Sequence, residues 1–180
     1  MRSVIMIFLF SIMGLSFQEK KQGLSDTIVG NEAVRERGAE DVYVLARTVF
    51  SSLKMNDFDM LLNYIPDDGD IALLKQQSSE RDRYIFESMT GEELRENTRL
   101  NLEKVIQQGM ERGMNWSDVE IQESRISMCK VGDTRRCEAV MTLQDLKGKG
   151  LAISFDMIKL NNRWFLFQGM RVKSEKASLK

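Results

Sequence analysis

The chain contains no histidine, one proline and two cysteines in 180 residues. Without histidine it lacks the commonest metal ligand and the commonest general base. Two cysteines alone cannot complete a tetrahedral zinc site. No residues are spaced like a Ser-His-Asp or Cys-His nucleophilic centre. No catalytic residue, metal or cofactor is therefore expected. An excess of one charge is also missing: 26 Lys and Arg stand against 27 Asp and Glu, a net charge of −1. Nucleic acid is not an expected partner, because phosphate binding needs a concentrated basic surface. Nor is this the composition of a disordered chain, with 42% hydrophobic residues.

Long apolar runs are missing as well, except at the start. Arg2 is the only charge before Glu19, and Val4 to Leu15 forms an apolar stretch. Its length, roughly 12 residues, suits a signal-peptide core and falls short of the ~20 that span a bilayer. Small Gly14 and Ser16 precede polar Gln18-Glu19-Lys20-Lys21. The reading is a signal peptide at 1–16 cleaved after Ser16 and a flexible lead-in at 17–40. A single domain occupies 41–173, and a polar tail 174–180. The mature protein is expected in the periplasm or secreted, with no membrane contact after cleavage. In that compartment Cys129 and Cys137 are expected to form a disulfide.

The domain begins with helical periodicity. Asp41 heads a helix over 41–54 with Leu45, Ala46, Val49 and Leu53 inward. Asn56 is expected to cap a second short helix closed by Pro66. Asp67-Asp68-Gly69-Asp70 has the wrong spacing for a calcium loop and reads as a turn, with Asp70 capping the next short helix. Residues 78–89 are amphipathic, with Tyr84, Ile85 and Met89 as inward candidates. Thr90 and Glu93 make a capping box for a long helix over 91–112, which Gly113 ends.

After Trp116 the period becomes two. Val119 and Ile121 shift phase to Ile126 and Met128, which predicts a bulge near Glu123. Cys137 to Leu143, Leu151 to Met157 and Trp164 to Gln168 alternate, separated by short turns. Centring the first hairpin on Asp133 sets Cys129 opposite Cys137. Four successive strands make an antiparallel meander, so the fold class is α+β, with N-terminal helices packed on a curved C-terminal sheet. Of twelve methionines, those beyond the signal stretch lie scattered on apolar faces and read as core packing rather than soft-metal ligands.

Two segments carry a family resemblance. One is Ala46 to Tyr64, with its Asn56-Asp57-Phe58-Asp59 break between helices. The other is Gly148 to Met170, where Asn161-Asn162 feeds Trp164-Phe165-Leu166. Over about residues 41–173 the chain resembles the nuclear transport factor 2-like, or cystatin-like, superfamily, most of all its small secreted bacterial domains. The resemblance implies helices covering one face of the sheet around a cone-shaped cavity. Enzymes of this type place Asp, Tyr, His or Arg in the cone; other members bind a small ligand or dimerise through the sheet. Here Tyr64, Tyr84, Gln168 and Arg171 are the candidate ligand-binding residues. Asp156 alternates with Phe155 and Met157 and is expected to point away from their face. The expected function is an exported, non-enzymatic domain binding a small apolar ligand or a protein partner in the cone or on the sheet. The alternatives are a cone-type hydrolase or isomerase using Asp or Tyr, and a structural envelope protein that homodimerises through its sheet.

Overall fold

A computed structural model describes residues 37–131 and 134–173. The expected signal peptide at 1–16, most of the expected lead-in and the 174–180 tail lie outside the described residues. Helices come first and a four-stranded antiparallel sheet last, an α+β arrangement.

Helix α1 (Val42–Met55) starts where the Asp41 carboxylate accepts from the Tyr43 N–H, and buries Leu45, Ala46, Val49 and Leu53. It ends at Asn56, whose φ of 50° is left-handed. Asn56 thus stops the first helix instead of capping a second, and the next stretch is a 3-10 turn, Asp59–Tyr64. Helix α2 (Asp68–Gln77) is capped by Asp67, not Asp70: the Asp67 side chain accepts from Asp70 N–H while the Asp70 carboxylate accepts from Asp67 N–H. Asp70 sits three residues inside, as the reciprocal member of a capping box. Helix α3 (Glu80–Glu87) turns Phe86 fully inward and leaves Tyr84 66% exposed. Helix α4 (Gly91–Glu111) has the Thr90–Glu93 capping box. Asp68 accepts from the Gly91 N–H at 2.7 Å, tying the start of α2 to the start of α4.

Strands β1 (Glu120–Val131), β2 (Thr134–Gln144), β3 (Gly150–Leu160) and β4 (Arg163–Lys173) lie in that order in the sheet. On one face Ala139, Met141, Leu143, Ile153, Phe155 and Met157 are fully buried in the main core with side chains of α1 and α4. The centre of the face expected to line a cone is therefore packed. The opposite face carries a second cluster in which Ile158, Leu160, Phe165 and Phe167 meet Leu74 of α2 and Phe86 of α3. The Arg136 guanidinium stacks on both Phe86 and Phe167, 5.6 and 4.9 Å from the ring centroids. Hydrophobic groups thus line both faces of β3 and β4, because α2 and α3 reach the side that α1 and α4 leave open.

The first hairpin corrects the disulfide expectation. Val131 pairs with Thr134, Cys129 with Arg136 and Met128 with Cys137. Pairing of Val131 with Thr134 puts the register one position away from that expected with the hairpin centred on Asp133. Cys129 and Cys137 are not opposed, and no disulfide is seen among the described residues. Cys137 is buried in the main core. No helix among the described residues is long and apolar enough to cross a membrane.

Candidate functional site

Strand β4 is an edge strand, and its irregular pairing makes the site. Ser154 pairs with Arg171, Asp156 with Gln168 and Met157 with Leu166. Over that span β4 spends two more residues than β3. Bulges of this kind bend and twist the strand that carries them. Gly169 stands in the distorted stretch with φ +76°, and a Cβ there would run into the Arg171 guanidinium and sit 2.8 Å from the Asp156 carboxylate. The positive φ favours glycine, and any side chain there would displace the ends of Arg171 and Asp156.

Beside this bend, α3 and the first half of α4 wall a cavity of about 520 Å³, within the ~300–1,000 Å³ typical of small-molecule sites. Ile85 and Met89 border it from the α3 side, and Leu94, Asn97, Thr98 and Asn101 from α4. The amides at 97 and 101 share a helix face because they are four residues apart. The sheet contributes Phe155, Asp156, Leu166, Gln168 and Arg171. Phe155 and Asp156 belong to opposite faces of β3, yet the bowed β4 lets both border one space.

The charges are unevenly satisfied. Glu138 accepts from Arg171 at 3.2 Å and pairs with Lys173 at 3.1 Å. Burial pushes the Glu138 carboxyl up, but Lys173, the buried Ser154 hydroxyl and Arg171 outweigh it and hold the pKa below the ordinary value. Arg171 also donates to the Gly169 carbonyl at 2.9 Å. Its remaining contact with Asp156 is a longer 3.6 Å ion pair. Asp156 is half-buried, and its pKa is raised, first by burial and then by Glu138, against the pull of Arg171. The groove therefore offers a half-buried carboxylate with a loosely held partner beside the apolar side chains of Phe155 and Leu166.

Of the sequence candidates, Gln168 and Arg171 come together here. Tyr64 packs against the main core, and Tyr84 points to solvent; neither borders the groove. Sequence reasoning missed Asp156, which alternation turned away from the Phe155 face, and the α4 amides. The available signal was Gly169, an isolated glycine inside an alternating strand, which marks a bulge. Among the described residues no group of three or more acidic or cysteine side chains is placed to hold a metal.

No protein-family model, curated protein or solved structure matches the chain. The groove's chemistry rests on its own residues.

Proposed function

We propose that this chain is an exported binding domain of the nuclear transport factor 2-like kind. Its ligand is a small molecule with an apolar body and a hydrogen-bond-donating head, held in the β4–α4 groove. The observation that carries this reading is Asp156, a half-buried carboxylate at the edge of a 520 Å³ cavity. An ionised carboxylate only accepts hydrogen bonds, so the head that completes it is a donor. Met89, Leu94 and Leu166 supply contact for the body. Export rests on the Arg2 charge and the apolar stretch to Leu15.

Acid–base catalysis is the second reading, favoured by the raised pKa of Asp156. Its partner group would have to be Glu93, which borders the groove but accepts from the Thr90 N–H in the α4 capping box; neither Tyr64 nor Tyr84 borders the groove.

The test is an amide chemical-shift titration with octylammonium, using octanoate as the opposite-sign control. Octylammonium is expected to move the amides of Gln168 to Arg171 and of Asn97 to Asn101, and Asp156→Asn to weaken that binding at least about tenfold, the loss of one charge-assisted hydrogen bond. Equal responses to both probes would remove the role given to Asp156.

A further inference from the structure

We propose that the outer edge of β1 pairs with the same edge of a second copy of this chain, joining two four-stranded sheets into one. This does not rest on the groove reading, because β1 and β4 are opposite edges of the sheet.

Strand β1 is 12 residues long and forms an edge. Among the described residues nothing pairs with its outer side, whereas Ala39 bridges to Trp164 on the β4 edge. From Glu120 to Ser127 no side chain is buried. Such an edge is a template for another strand unless proline or repelling charge blocks it. This strand has no proline, and its central charges have opposite signs: Glu123 and Arg125 flank Ser124.

Antiparallel pairing of identical strands places a two-fold axis perpendicular to the sheet. Each face then stays continuous across the join, so only residues of the same face oppose each other. An axis at Ser124 sets Glu123 opposite the partner's Arg125, and Arg125 opposite the partner's Glu123. An axis at Arg125 would set two guanidinium groups against each other. Cross-strand pairs of opposite charge stabilise and like pairs destabilise, so charge selects the Ser124 register. Both groups are available for it, with Arg125 75% and Glu123 51% exposed while they pair within one strand at 2.7 Å. The bulge between Ile121 and Glu123 lies just outside the three central pairs. The join is therefore short, and its affinity is expected on the order of micromolar, as for small interfaces. Both β4 grooves remain open at the far ends of the joined sheet.

Sedimentation velocity on the full chain over a concentration series tests this. A reversible dimer is expected. Arg125→Glu, which places like charges opposite each other twice, should weaken it on the order of tenfold or more, and Glu123→Arg combined with Arg125→Glu should restore it. Mild oxidation of Ser124→Cys should give a dimer cross-linked through position 124 by mass mapping, much faster than Ser127→Cys gives one through position 127. A chain that stays monomeric at all concentrations overturns the proposal. So does a dimer indifferent to Arg125→Glu, or equal cross-linking at the two positions.

Discussion

Gly169 and Trp164 show how much single residues of β4 carry. Gly169→Val forces a β-branched side chain into a left-handed backbone and against Asp156 and Arg171. A cost of about 1–3 kcal/mol is expected from the conformation alone, together with loss of octylammonium binding, since the groove is built on that bend. Trp164 is 5% exposed in the main core, and Phe155, on the neighbouring strand, is fully buried. Trp164→Ala is expected to cost about 3–5 kcal/mol in urea unfolding; a loss below about 1 kcal/mol, the scale of surface changes, would mean the side chain is exposed. Asp156 acts in the opposite sense. Its pKa is raised in the folded chain, so the folded state binds its proton more tightly than the unfolded state. Stability is then lost as pH rises from the unfolded pKa through the folded one, and the deficit persists above it. Asp156→Asn should be more stable than the parent at neutral pH, with the advantage vanishing below the ordinary carboxylate range. Urea melts at several pH values check this.

At the scale of elements, turns and caps set the geometry around the site. Asp145, at the β2–β3 turn, accepts from the backbone N–H groups of Asn115, Lys147 and Lys149 at 2.8–3.0 Å. The Asn115 bond, with those from Lys149 and Lys147, holds its carboxyl below the usual range against burial. Such a group stabilises the fold above the unfolded pKa, and that contribution is lost as pH falls through the lowered folded value. Asp145→Asn is expected to lose stability at neutral pH and to show a flatter acid limb. The capping box at Thr90 and the alternation in β2, β3 and β4 were legible in the sequence, because each depends on residues close along the chain. Three features were not. In α3, Phe86 displaced Tyr84 as the inward residue: a short charged helix offers more than one apolar stripe, and the meeting with Phe167 and Arg136 decides between them. The β1–β2 register turned on where the hairpin is centred, and a one-position slip from Asp133 separates the cysteines. The groove depends on two extra residues in β4, of which Gly169 was the only local sign.

At the scale of the whole molecule, the helices divide between the two faces of an open sheet. The centre of the face that would line a cone is packed, and the cavity lies toward the bulged β4 edge, where Leu94, Phe155 and Leu166 of the main core border it. That placement is the central claim, and native mass spectrometry tests it most directly. The wild-type full chain and Asn97→Trp, purified from the same native host, would be compared. Asn97 is exposed on α4 and borders the groove, so tryptophan there fills the cavity without entering the core. The wild type is expected to carry a small molecule that dissociates on collisional activation, and the variant, with an unchanged circular dichroism melt, to carry none. A wild type without an adduct and without response to octylammonium would contradict the account, as would an adduct retained undiminished by Asn97→Trp.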